Sequence, residues 1–243
     1  MEQLLHDGLA ALGLPQDGIP ALKRFGEMLV EKNKVMNLTA ITEPADVATL
    51  HFLDSVAMLK EIDLSGKTVV DVGTGAGFPG MPLRIVCPAI RMTLLDSLNK
   101  RIDFLKEVCD ELGYTDVACV HGRAEEFAAK HRESFDFATS RAVANFQLLT
   151  ELCLPLVKVG GTFIAMKSVE SDEELKAAEK AISILGGQVE RTVDYQIPGT
   201  DVTHRLVFIK KIKETPKKYP RALQKSRRIR YNSKLGAHRT KMW

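Results

Sequence analysis

Apolar residues recur at three- and four-residue steps through the first sixty or so positions: Leu22, Phe25 and Leu29, then Leu50, Leu53, Val56, Ala57 and Leu59. That spacing places an apolar stripe on each of a series of amphipathic helices and leaves almost no strand signal. After Ser65-Gly66 the pattern changes to short apolar runs separated by helical ones: TVVDV, MTLLD, VACVH, FDFATS, GTFIAMK, QVERTVDY and RLVFIKK. The alternation predicts an α/β domain with a seven-stranded, mostly parallel sheet and helices on both faces. The last two runs flank the turn IPGTD and read as a closing antiparallel hairpin. The predicted organisation is a helical cap over residues 1–64, an α/β domain over 65–213 and a basic tail over 214–243.

Composition narrows the class. A chain of 243 residues with 45% hydrophobic content can build one large core with a small extension. No apolar run approaches the ~18 residues of a membrane span, and MEQLLHDGLAALGL carries acids and a histidine where a signal peptide is basic and then apolar. A cytoplasmic protein with no membrane partner is expected. Cys87, Cys109, Cys119 and Cys153 form no C-x-x-C pair and the histidines have no ligand-like spacing, so reduced buried thiols and no metal site are expected. The formal net charge of +3 hides a division. From Lys210 to Trp243 there are 13 Lys or Arg against one acid, Glu214, whereas the rest of the chain has 21 bases and 30 acids. Such a tail is either a binding arm for a polyanion or a solvated end.

The candidate chemistry centres on VVDVGTGAGFPG, Val69 to Gly80. Gly75, Gly77 and Gly80 satisfy the G-x-G-x-x-G pattern of a nicotinamide or flavin site, so the glycines alone leave the ligand open. The first strand-to-helix turn of an open parallel sheet faces the ligand, and Gly73, Gly75 and Gly77 let a ligand lie against bare backbone. Two neighbours decide between ligands. Asp71 ends the strand, where its carboxylate can organise the loop or receive an ammonium group. Pro79 has no N–H to offer the pyrophosphate of a dinucleotide. Both favour an amino-acid-like ligand such as S-adenosylmethionine. Asp96, after the second strand, is placed to accept both hydroxyls of a ribose, a device that nicotinamide enzymes share. After the third strand, the Ala124 amide and the Glu125 carboxylate can read an adenine edge, although acids also suit the first turn of a helix.

These residues carry a resemblance. DVGTGAGFPG, with NLTAI (Asn37 to Ile41), HFLDS (His51 to Ser55), LLDSLNKR (Leu94 to Arg101), RAEE (Arg123 to Glu126) and SRAVA (Ser140 to Ala144), resembles the ribosomal small subunit methyltransferase G family, also called glucose-inhibited division protein B. The resemblance runs in order to about Arg221. It implies a Rossmann-like class I S-adenosylmethionine-dependent methyltransferase acting on N7 of guanosine 527 in the 530 loop of bacterial 16S rRNA. The implied partner is 16S rRNA or the small ribosomal subunit, with the enzyme a monomer in the cytoplasm. It also implies cofactor contacts at Gly73, Phe78, Ala124, Glu125 and Arg141.

The residue chemistry agrees with that target. Exocyclic amine methylation calls for an acceptor after the fourth strand, where this chain has Ser140-Arg141-Ala142. Guanine N7 carries an in-plane lone pair and no proton, so it needs neither base nor acceptor. Catalysis then rests on positioning and electrostatics. Arg141 is expected to hold the cofactor or a phosphate, and Lys167 to contact guanine O6 or the RNA backbone. Asn37, His51 and Asp54 come from the cap. Polar residues at turns and helix ends usually cap backbone groups, so Asn37 and Asp54 are expected to do that, and His51 is given no catalytic role. Two other classes stay open: a nicotinamide-dependent oxidoreductase, and a non-catalytic RNA-binding module that works through the tail.

Overall fold

A computed structural model describes residues 1–141 and 144–221. Among them the seven apolar runs become β1 (Thr68–Val72), β2 (Arg91–Asp96), β3 (Ala118–His121), β4 (Phe135–Arg141), β5 (Val157–Ser168), β6 (Gly187–Gln196) and β7 (Thr203–Lys211). They form one sheet in the order β3-β2-β1-β4-β5-β7-β6. β1 to β5 are mutually parallel where they pair, and β7 runs antiparallel between β5 and β6. Strand order reverses between β1 and β4, and in such sheets the crevice beyond the carboxyl ends at that point is where ligands bind.

Alternation along the strands divides the core. Val69, Ile164, Met166, Leu206 and Phe208 face one side with α6 (Asn99–Leu112) and the N-terminal helices. Val70, Val72, Phe163, Ala165, Val207 and Ile209 face the other, against α7 (Ala124–Lys130), α8 (Phe146–Cys153) and α9 (Asp172–Ile184). Period-two alternation with both faces apolar is what a sheet covered by two helical layers requires.

The cap comprises α1 (Glu2–Leu12), α2 (Ile19–Met36) and a helical stretch from Pro44 to Lys60. That stretch runs α3 (Pro44–Asp46), a π-helix (Val47–Leu53), α4 (Asp54–Val56) and a 3-10 turn (Ala57–Lys60). Its apolar residues join the sheet's core instead of forming their own. The Phe25 ring lies 5.5 Å from both Phe52 and Phe78 and 6.3 Å from Phe104, so α2 reaches the glycine loop directly.

The first residues of the expected tail are part of the folded body. Arg132 donates to the carbonyls of Thr215, Pro216 and Tyr219. Thr215 Oγ1 donates to Leu185 O at 2.7 Å and accepts from the buried Lys211 ammonium at 2.7 Å. Arg221 grips Glu151 of α8 with Nη2 to Oε2 at 2.6 Å. The rest of the expected tail, residues 222–243, lies outside the described residues.

Candidate active site

β1 ends at Val72 and the chain turns at once. Gly73, Gly75 and Gly77 hold φ of 71°, 59° and 104°, backbone that a Cβ opposes. Asp71 organises this loop from behind. Its Oδ2 accepts from Thr74 Oγ1 at 2.6 Å and Gly80 N–H at 2.9 Å, and its Oδ1 from Thr139 Oγ1 at 3.3 Å. Burial pushes the Asp71 carboxyl up to about 6, against the pull of the Thr74 and Gly80 donors. A Cβ on Gly80 would lie 2.3 Å from Leu94 Cδ2, so only glycine lets α5 (Gly80–Val86) begin this close to β1 and β2.

Beyond the strand ends lies a cleft of about 1180 Å³. Gly73, Gly75 and Phe78 line it on the β1 side, and Asp96 lines it at the end of β2. The Asp96 side chain is 4% exposed. Its Oδ2 accepts from Gly75 N–H at 2.9 Å and Arg101 Nη1 at 3.2 Å, and its Oδ1 from Leu98 N–H at 2.9 Å. Ala124 and Glu125 line the cleft where α7 begins, and Arg123 Nε donates to Glu125 Oε1 at 2.6 Å.

Arg141 closes the cleft at the end of β4. Nη1 donates to Leu50 O at 3.2 Å in the π-helix and to Asp54 Oδ2 at 3.1 Å, and Nη2 donates to His51 Nδ1 at 3.0 Å. The guanidinium carbon lies 4.9 Å from the centre of the Phe78 ring, on which His51 also stacks at 4.3 Å. Asp54 is the hub of this group, since its Oδ1 also accepts from Tyr195 OH at 2.6 Å and His204 Nδ1 at 2.8 Å. Burial alone would raise the Asp54 carboxyl, but the His204 hydrogen bond and the Arg141 charge hold it below the usual carboxylate range. Burial, aided by Arg141, presses the His51 imidazole down to about 3, so it is neutral. With Nδ1 accepting from Arg141, Nε2 carries the proton and donates to Thr39 Oγ1 at 2.8 Å.

Lys167, on β5, lines the same cleft. Its ammonium donates to Ala144 O at 2.9 Å and to Glu174 Oε1 and Oε2 at 3.0 and 3.2 Å.

A glycine loop at a topological switch point, an acid at the end of β2 and an arginine at the end of β4 meet around one cleft. The family model described as rRNA small subunit methyltransferase G matches residues 18–203 of this chain. The chain belongs to the rRNA small subunit methyltransferase G family. Relatives named ribosomal RNA small subunit methyltransferase G include one from Alkaliphilus metalliredigens, 49% identical over 90% of this chain and 94% of its own. Another, from Lachnoclostridium phytofermentans, is 50% identical over 88% of this chain and 91% of its own. Solved structures share the fold at lower identity. An S-adenosylmethionine-dependent methyltransferase from Aquifex aeolicus superposes with a TM-score of 0.51 at 20% identity, covering 74% of this chain and 97% of that one. A predicted O-methyltransferase from Agrobacterium tumefaciens gives 0.52 at 16%, covering 69% and 82%.

As a methyltransferase G the chain takes S-adenosylmethionine as its methyl donor, and the oxidoreductase reading has no support among these relatives. Gly73, Gly75, Phe78, Asp96, Ala124, Glu125, Arg141 and Lys167 come together around the cleft. Asp71 and Gly77 do not line it. Asp71 is 0% exposed with its carboxylate turned to the loop's own donors, the first of its two expected roles, organising the loop, and not the second, receiving a ligand ammonium. Gly77 faces the core, where a Cβ would meet Leu105 and Met81 within 3.0 Å. The Lys167 ammonium, expected to contact guanine O6 or the RNA backbone, is bound to Glu174 and to the Ala144 carbonyl at the cleft wall.

Asp54, expected to cap a backbone group, instead binds three side chains, from β4, β6 and β7. Tyr195, His204 and Glu174 carry no signal in the sequence, and Thr39 and Arg101 enter it only inside the stretches NLTAI and LLDSLNKR. Tyr195 and His204 meet Asp54 only through the fold, 141 and 150 positions away. Among the described residues there is no helix long and apolar enough to cross a membrane and no cluster of three or more metal-binding side chains.

Proposed function

We propose that this methyltransferase acts on N7 of guanosine 527 in the 530 loop of bacterial 16S rRNA, as a monomer in the cytoplasm. The names of the relatives support the small-subunit rRNA. The end of β4 supports N7. Ser140 Oγ donates to Val72 O at 2.7 Å, Arg141 carries only donors, and Ala142 and Val143 have no polar side-chain atoms. An exocyclic amine would need an acceptor at this position. Guanine presents N7 and O6 as acceptors on one edge, which suits the donor guanidinium of Arg141.

When bound, S-adenosylmethionine supplies a methyl group on a positively charged sulfur. In this reading the Gly73 to Gly75 backbone and Phe78 lie along the cofactor, Asp96 accepts its ribose hydroxyls, and the Ala124 amide and Glu125 read its adenine. Arg141, held at three points by the cap, fixes the cofactor against the incoming base. Asp71 and Gly77 shape the loop from behind. Lys167 and Glu174 anchor the chain at Ala144 beside the reacting centre. No proton has to move to or from N7, so the rate depends on alignment and on the charge around the sulfur.

The test is incubation with methyl-labelled S-adenosylmethionine and 16S rRNA that lacks this methyl group, followed by digestion to nucleosides. Label in 7-methylguanosine is the expected result. Label in another nucleoside overturns the N7 assignment, and RNA binding without label supports the non-catalytic reading.

A further inference from the structure

Asp96 is nearly saturated. An ionised carboxylate offers roughly four acceptor positions, and Gly75 N–H, Leu98 N–H and Arg101 Nη1 take three of them. Two of these donors are main-chain amides built into the cleft wall. The third is a side chain, 33% exposed, at the longest distance of the three, 3.2 Å. The vicinal hydroxyls of a ribose need two acceptor positions, and about one is left.

Arg101 also stands where a cation is unwelcome. It lies in the first turn of α6, where the aligned peptide dipoles oppose positive charge, directly after Lys100. The Asp96 carboxylate is the anion that holds it there. If Asp96 turns its oxygens to a ribose, the guanidinium stays at the cleft mouth without its counter-charge. Its planar fork then matches a phosphate.

We infer that Arg101 couples the two binding events: it leaves Asp96 when the cofactor ribose binds and pairs with a phosphate of the incoming RNA. Cofactor and RNA therefore bind cooperatively, each raising the affinity of the other by the same factor. The inference rests on the assignment of Asp96 to the ribose made above.

The test measures binding of the full chain to unmethylated 16S rRNA over a range of salt, with and without S-adenosylhomocysteine, which carries the same ribose and no methyl group to transfer. For the unaltered chain, S-adenosylhomocysteine should tighten RNA binding by at least about five-fold, the low end of usual couplings. It should also steepen the slope of log affinity against log salt by about 0.7, one neutralised phosphate on a single strand. Arg101→Ala should abolish both gains while binding S-adenosylhomocysteine no less tightly. Equal RNA affinity and slope with and without S-adenosylhomocysteine in the unaltered chain overturn the inference, as does an Arg101→Ala variant that keeps the full gain. Calorimetry on Asp96→Asn separates the two claims. Unchanged S-adenosylhomocysteine affinity there removes the ribose assignment itself, whereas weakened affinity with no coupling in the unaltered chain removes only the role of Arg101.

Discussion

Arg141 Nη1 and Asp54 Oδ2 lie 3.1 Å apart, joining the end of β4 to the cap through a carboxylate that is 1% exposed. Removing one partner of a buried pair leaves the other charge unpaired, which costs about 3–5 kcal/mol. Asp54→Ala should lose stability on that scale in urea unfolding, because Tyr195 and His204 lose their acceptor as well. A loss well under about 1 kcal/mol, the scale of an exposed pair, would show that the group does not hold the cap in place.

Arg141→Ala tests the same ion pair from the side of the chemistry. It should reduce methyl transfer on the order of 100-fold, the cost of a small misplacement of reacting groups, and change RNA affinity far less. A folded, cofactor-binding variant with unaltered turnover would place Arg141 away from the reacting centre.

His51 gives a pH dependence with a definite sign. Its folded value of about 3 lies below the ordinary 6.5, so the unfolded chain holds a proton that the folded chain refuses between those two values. The contribution of His51 to stability is complete above pH ~6.5 and falls as pH drops toward 3, with a loss of about 2 kcal/mol by pH 5. Asp71, raised to about 6, has the opposite sign and gains stability as pH falls, so the His51 contribution is the difference between the unaltered chain and His51→Gln in urea titrations at pH 7 and pH 5: the variant should lose less on going to pH 5. A His51 imidazole resonance, assigned by its loss in His51→Gln, that titrates near 6.5 in the folded protein would contradict the burial argument.

The legible part of this protein is its local part. The strand runs, the glycine turn and Asp96 each announce themselves within a dozen residues, because backbone conformation and burial are set by near neighbours. Asp54 and Arg141 are 87 positions apart, and Asp54 and His204 are 150 apart. No spacing rule pairs such residues, so Asp54 reads as a helix cap. Asp71 and Lys167 fall between these cases: the sequence puts them at strand ends, but only packing reveals that Thr74, Gly80 and Glu174 already occupy them.

The tail calls for a cleaner cut than charge alone would indicate. Ending the chain after Lys213 removes Thr215 and Arg221, which pack on Lys211 and Glu151. Ending it after Arg221 removes only residues 222–243, with seven Lys or Arg and no acid. That truncation should flatten the salt dependence of RNA binding by about 0.7 in log–log slope for each phosphate that is no longer neutralised, with cofactor affinity unchanged. The modified nucleotide should also stay the same, since phosphate recognition carries no base identity. A full slope in the truncated chain would assign RNA binding to the body.

The most direct test of the account is the position of the methyl group. After reaction with unmethylated 16S rRNA, borohydride reduction and aniline cleave the strand at 7-methylguanosine, and the new end can be mapped to one nucleotide. Cleavage is expected at guanosine 527, dependent on both enzyme and S-adenosylmethionine. Cleavage elsewhere, or label retained in rRNA with no cleavage at all, would contradict it.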